Sequence, residues 1–101
     1  MRNLRIWLDD TRLAPAGWIW ITNAHALCLL LDNQMVWDCI EMMSLDHDLG
    51  NDDLYGTGYT VVCHIERLVK ADGRTLDFPV RLHSANPVGI RKMRNVIENL
   101  K

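Results

Sequence analysis

Three short polar stretches carry the side chains of this chain that are best suited to chemistry. Asp9-Asp10 and Asp46-His47-Asp48 each follow an apolar run, and His83-Ser84-Ala85-Asn86 follows a later one. Carboxylates that converge on one point repel one another, and a hard divalent cation relieves that repulsion. Ligation by oxygen alone suits Mg²⁺ or Mn²⁺ better than zinc. The sequence therefore predicts a site for Mg²⁺ or Mn²⁺ formed by Asp9, Asp10, Asp46 and Asp48.

Simpler interpretations of the same carboxylates exist. Acidic residues at strand ends also cap helices or face solvent. A calcium loop starting at Asp46 would need glycine at its sixth position and glutamate at its twelfth, but those positions are Asn51 and Thr57. We exclude an EF-hand for this reason, and we interpret Asp52 and Asp53 as exposed loop charges.

The third polar stretch offers groups that bind anions. Asn86 has the position of a helix N-cap and Pro87 that of the first helical residue. A helix N-terminus presents free N–H groups and a positive dipole to an anion, and the Ser84 hydroxyl adds a further donor. Capping alone also explains the Asn86-Pro87 pair. The candidate phosphate-binding groups are Arg12, Ser84, Asn86, Val88 and Gly89.

Two histidines adjoin these groups. Histidine titrates near neutral pH, so His47 and His83 are candidates for proton transfer to a leaving oxygen. Each is equally well explained as a packed or solvated side chain. His25 and His64 lie in helical patterns away from the strand ends, and we assign them no role.

The bulk composition is that of one globular domain, residues 1–101. Hydrophobic residues make up 49% and charged residues 24%, with a formal net charge of −2. This balance gives no general nucleic-acid-binding surface, and no apolar run approaches the about 20 residues of a membrane span. Cys28, Cys39 and Cys63 lie in apolar surroundings, as reduced thiols of a cytoplasmic protein do.

The hydrophobic pattern alternates strands with helices. The predicted strands are Leu4–Leu8, 18–22, 39–45 and 78–84, and the predicted helices cover 24–32, 59–70 and a segment from Pro87. Thr22 or Asn23 caps the first helix. The alternation indicates an α/β domain with a mostly parallel sheet of about four strands. Ligands of such sheets bind beyond the carboxyl ends of the strands, where the three polar stretches meet.

These residues resemble the receiver domain of two-component signalling. Asp9-Asp10 match its acidic pair, Asp46 its acceptor aspartate and Ser84-Ala85 its hydroxyl position. The resemblance implies a flavodoxin-like, three-layer fold. A receiver also has a fifth strand that ends in a lysine, and a helix after its first strand. Here that strand and lysine are missing, and "TRLAPAGW" forms a loop in place of the helix.

These departures, together with "SLDHDLG", "GTGY" and "HSANPVG", resemble the cyclic-phosphate-processing receiver-like family. The resemblance implies a metal-dependent phosphoesterase or phosphate-binding domain that acts on cyclic or terminal nucleotide phosphates, including RNA ends. Asp46 is then either the nucleophile or a metal ligand only. Two alternatives remain open. One is a signalling receiver phosphorylated on Asp46, and the other is a non-catalytic interaction protein that uses Trp18 and Trp20 as an exposed surface.

Overall fold

A single parallel sheet organises the domain. The computed structural model describes residues 1–100, and its strands are β1 (Leu4–Leu8), β2 (Ile19–Ile21), β3 (Ile40–Leu45) and β4 (Val80–Leu82). Their order across the sheet is β2-β1-β3-β4, and every neighbouring pair is parallel. The direction of winding reverses between β1 and β3, where open α/β sheets bind ligands. The predicted α/β class, a truncated flavodoxin-like receiver fold with four strands, is confirmed.

Five helices connect or follow the strands. They are α1 (Ala24–Asp32), α2 (Gln34–Cys39), α3 (Asp52–Tyr55), α4 (Gly58–Lys70) and α5 (Pro87–Glu98). Asn23 caps α1 by accepting the backbone N–H of Ala26, which decides between the two predicted caps. Asn86 caps α5 and Pro87 is its first residue, as predicted. The sequence pattern missed α2 and α3, because four to six residues are too few to display a helical period.

The hydrophobic core lies between the sheet and the long helices. Ile6 and Leu8 of β1, with Met43 and Leu45 of β3, are buried on one face of the sheet. Helix α4 packs against both α1 and α5, so these three helices lie side by side over that face. Right-handed crossovers from β2 to β3 and from β3 to β4 run in the same direction across the sheet, which places their helices on the same side.

The opposite face of the sheet carries no helix within residues 1–100. Strand alternation directs Trp7 and Ser44 to this face, and Trp18 of the loop 11–18 packs edge-on against Trp7, with 5.9 Å between ring centroids. The third layer expected from the resemblance is therefore not found in this part of the chain. The reason is local, since a loop replaces the helix that a receiver places after its first strand.

Two further expectations from composition can be compared with the structure. Cys28, Cys39 and Cys63 are free thiols, each half-buried. Within residues 1–100, no helix has both the length and the apolar content needed to cross a bilayer.

Asp52 and Asp53 are exposed, as predicted, although they form the first turn of α3 and do not belong to a loop.

Candidate functional site

Asp9 follows β1 directly and is fully buried. Its Oδ1 accepts the backbone N–H groups of Thr11 and Arg12, each at 2.9 Å. Its Oδ2 lies 3.3 Å from Nη1 of Arg12 and 3.0 Å from Nε2 of His83. Burial tends to raise the pKa of Asp9, but the hydrogen bonds from Arg12, Thr11 and His83 lower it more. The fold thus holds a buried carboxylate in its ionised form.

His83 joins Asp9 to a hydroxyl group on β3. Its Nδ1 lies 2.6 Å from Oγ of the buried Ser44, and its ring stacks on Trp7 with centroids 3.8 Å apart. Burial lowers the pKa of His83, and the opposing hydrogen bond and charge of Asp9 do not cancel that effect. In the neutral ring, Nε2 donates to the carboxylate and Nδ1 accepts from the hydroxyl, since a carboxylate can only accept. Both ring nitrogens of His83 are therefore in use inside the fold.

Asp46 follows β3 and is 6% exposed. Its Oδ1 accepts the backbone N–H of His47 at 2.8 Å. Gly58, at the start of α4, donates its N–H to the carbonyl of His47 at 2.9 Å. A Cβ on Gly58 would lie only 2.1 Å from the backbone oxygen of Asp46. Helix α4 can begin against this loop because its first residue is glycine. This explains the second glycine of the "GTGY" motif, Gly58.

Three carboxylates form a cluster that can hold a metal ion. Oxygen atoms of Asp9, Asp10 and Asp46 all lie within 4.8 Å of one another, which suits a cation that takes several oxygen ligands. Asp10 is exposed, and its carboxylate makes no hydrogen bond to residues 1–100, so its oxygens are free to coordinate. Asp9 has both oxygens engaged. Asp10 and Asp46 are therefore the more available ligands of the cluster.

The cluster opens into a cavity of about 260 Å³ that also contains anion-binding side chains. Its lining residues are Asp10, Thr11, Arg12, Asp46, Asp48, Gly50, Ser84 and Ala85. The structure thus brings predicted metal ligands and two predicted phosphate-binding groups, Arg12 and Ser84, to one wall. Ser84 Oγ accepts the backbone N–H of Asn86 at 3.1 Å, which leaves its own hydroxyl proton free to donate. Thr11 was missed, and Gly50 and Ala85, although they lie within the quoted motifs, were not predicted as site residues.

The start of α5 differs from the predicted anion cradle. Gly89 already donates its N–H to Oδ1 of Asn86 at 3.0 Å. A Cβ on Gly89 would lie 2.5 Å from Cγ of His47, so the ring of His47 packs directly against this glycine. The side chain of Val88 is exposed. None of Asn86, Val88 and Gly89 is among the residues that line the acidic cavity, so in residues 1–100 the helix amides do not form its wall.

His47 is held beside this helix by Asp48. Nδ1 of His47 lies 2.7 Å from Oδ1 of Asp48, and Nδ2 of Asn86 lies 3.4 Å from both Asp48 oxygens. The hydrogen bond from His47 lowers the pKa of Asp48 despite partial burial, with a smaller contribution from Asn86. Nδ1 of His47 is thus a donor. Nε2 makes no hydrogen bond to the described residues and remains available.

Fold and site together define a receiver-like domain, because the acidic pair follows the first strand, the acceptor-like aspartate follows the central strand, and a serine follows the last strand. A family model described as the cyclic-phosphate processing receiver domain matches residues 4–99. The chain belongs to this family, as its motifs predicted. Comparison with curated proteins and with solved structures gave no match.

Proposed function

We propose that this domain is a metal-dependent phosphoesterase that acts on cyclic or terminal nucleotide phosphates, including those at RNA ends. The observation that carries the proposal is the single cavity that joins Asp10 and Asp46 with Arg12 and Ser84. An acidic cluster alone would suit a cation. An arginine and a free hydroxyl on the same wall add donors for an anion, so the cavity suits a metal ion and a phosphate together.

The oxygen ligands support Mg²⁺ or Mn²⁺ as the ion. Asp10 and Asp46 would hold it directly, with Asp9 behind them and Asp48 at the edge of the cavity. Bound there, the ion would draw negative charge off the phosphoryl oxygens. Asp46 serves as ligand or nucleophile, and its position at the end of β3 is compatible with both.

Arg12 and Ser84 would orient the phosphate. Nη1 of Arg12 is held by Asp9 and by the carbonyl of His83 at 3.1 Å, which fixes the guanidinium while its other N–H groups remain free to donate. Ser84 lies two residues beyond β4, the strand next to β3, and presents its hydroxyl to the same cavity. Two donors fixed by the fold stabilise developing charge without reorganising during the reaction.

The histidines divide into two roles. His47 keeps Nε2 free but is not among the residues that line the cavity, so proton transfer to the leaving oxygen by this residue stays a prediction from the sequence. His83 has both ring nitrogens bonded to Asp9 and Ser44, so we assign it to positioning Asp9. The proposal thus retains His47 among the candidate catalytic residues predicted from the sequence and moves His83 to a supporting role.

The test is a turnover screen of the purified protein with Mg²⁺ or Mn²⁺ against 2′,3′-cyclic, 3′ and 5′ nucleotide phosphates. We expect hydrolysis of at least one class, lost on chelation and in Asp10→Asn and Asp46→Asn. Asp52→Asn, which changes an exposed carboxylate on α3, is the matched control and should retain activity. Metal should also raise the melting temperature of the wild type and not of Asp46→Asn, because a ligand that binds the native state stabilises it.

Other outcomes distinguish the alternative functions. Labelling of Asp46 by acetyl phosphate without turnover of nucleotide phosphates would favour a signalling receiver. Metal binding without either reaction would favour a non-catalytic interaction protein. A melting temperature that millimolar Mg²⁺ and Mn²⁺ leave unchanged would remove the metal site, and with it the proposed mechanism.

A further inference from the structure

A second cavity adjoins the acidic one. Its volume is about 350 Å³, and it is lined by Asp10, Thr22, Leu49, Gly50 and Tyr55. Asp10 and Gly50 also line the acidic cavity, so the two spaces adjoin at these residues. The lining of the second cavity is less acidic than that of the first. Beyond Asp10, the second cavity has a buried leucine, a threonine and an aromatic ring in place of further carboxylates.

Tyr55 is held in place by the short segment that carries it. Asn51 caps α3 by accepting the backbone N–H groups of Asp53 and Leu54, and glycines with positive φ, Gly50 at 92° and Gly56 at 68°, bound the segment. These features fix the backbone on both sides of the ring. Tyr55 is nevertheless 41% exposed, and its hydroxyl makes no hydrogen bond to residues 1–100. A fixed, exposed aromatic ring at a cavity wall is a surface on which a planar group can stack.

Gly50 sets the spacing between the ring and the acidic cluster. A Cβ on Gly50 would lie 3.7 Å from Oδ2 of Asp10 and 3.7 Å from Cδ2 of Tyr55. The width of one residue thus separates the carboxylate from the aromatic ring. One ligand that combines a phosphate with a planar ring can reach both, provided that a short linker such as a ribose joins them.

We propose that the cavity beside Tyr55 binds the nucleobase of a nucleoside phosphate whose phosphate lies in the acidic cavity. This inference rests on the proposed function and deepens it, because it names the part of the site that would hold the base of the nucleotide substrate. Stacking requires only the π face of the base, so the subsite accepts purines and pyrimidines. Tyr55 acts as a specificity-determining residue for the presence of a base, and it takes no part in the chemical step.

The test compares two probes that differ only in the base, AMP and ribose 5-phosphate, by calorimetric titration of the purified protein with Mg²⁺. We expect wild type to bind AMP more tightly. Tyr55→Ala should weaken AMP binding about 5- to 150-fold, the range for loss of one base–aromatic stack, and should leave ribose 5-phosphate binding unchanged. Tyr55→Trp should retain the preference, whereas Tyr55→Leu, which keeps apolar bulk without a π face, should lose it. Leu54→Ala, on the same turn and outside the cavity, is the matched control.

The outcomes separate this subsite from the proposed function. If wild type binds both probes equally, or if Tyr55→Ala and Tyr55→Leu retain the preference for AMP, the subsite is wrong and the phosphate site stands. If neither probe binds wild type while Mg²⁺ does, the subsite fails, and the turnover screen on 2′,3′-cyclic and 3′ phosphates decides the proposed function separately. Circular dichroism melting of each variant identifies any loss of affinity that comes from unfolding, and Tyr55→Trp decides the question if the smaller replacements do not fold.

Discussion

His83→Ala is expected to lower the stability of the metal-free domain substantially. The substitution removes a ring that stacks on Trp7 and hydrogen-bonds to the buried groups of Asp9 and Ser44. The stack contributes about 0.5–1.5 kcal/mol, and a buried polar group left without its partner costs about 1–3 kcal/mol. Asp9 keeps four other donors, two from Thr11 and two from Arg12, so Ser44 carries most of the second penalty. We therefore expect a total loss of about 2–4 kcal/mol in the free energy of unfolding.

Urea denaturation followed by circular dichroism, with a chelator present, measures this loss. For a domain of this size, 1 kcal/mol corresponds to roughly 4–8 °C in melting temperature, so His83→Ala should melt about 10–25 °C lower. His25→Ala is the control, because His25 is exposed on α1 and should change stability by no more than about 0.5 kcal/mol. A His83→Ala variant as stable as His25→Ala would show that the two hydrogen bonds and the stack do not support the fold, and the positioning role would be abandoned.

Three further predictions concern other parts of the molecule. Gly58→Ala should destabilise the fold by about 2 kcal/mol or more, since its Cβ would meet the Asp46 backbone at 2.1 Å. Melting curves compare this variant with Lys70→Ala on the same helix, and equal stabilities of the two variants would contradict the prediction. Gly89→Ala should cost less, because the group it meets is the movable ring of His47, and a larger loss than that of Gly58→Ala would be the contrary result. Burial and the charge of Asp32 raise the pKa of Cys28 to about 11. Iodoacetamide at pH 8 should therefore alkylate Cys28 about 100-fold more slowly in the folded than in the unfolded protein. Peptide mass mapping gives both rates, and equal rates would refute the raised pKa.

The sheet and the convergence of its acidic ends could be predicted from the sequence. Apolar runs such as Leu4–Leu8 and Ile40–Leu45 end directly in carboxylates, and parallel strands bring such ends to one edge of the sheet. The helix caps at Asn23 and Asn86 could also be predicted from the sequence, because capping depends on a local residue type and its spacing. The signals that succeeded are thus periodic or strictly local.

The failures depend on contacts between distant segments. The ring of His47 lies against Gly89 because of how the loop after β3 packs on α5, and no spacing in the sequence records that packing. In the sequence, Ser44 is only one more residue of a buried strand. Its hydrogen-bond partner His83 lies 39 positions away, so no local pattern connects the two side chains.

Hydrogen bonds within the site favour the ionised form of two of its carboxylates, Asp9 and Asp48. Four carboxylates and one guanidinium, those of Asp9, Asp10, Asp46, Asp48 and Arg12, leave three uncompensated negative charges. The fold stabilises Asp9 through hydrogen-bond donors from Thr11, Arg12 and His83, and it stabilises Asp48 through His47. Asp10 has no such donor within residues 1–100, and Asp46 has the N–H of His47 and, 4.0 Å from its Oδ1, Nη1 of Arg12. The charge that the fold leaves unsatisfied therefore lies at Asp10 and Asp46, on the cavity wall, where a cation from solvent can meet it before an anionic phosphate approaches.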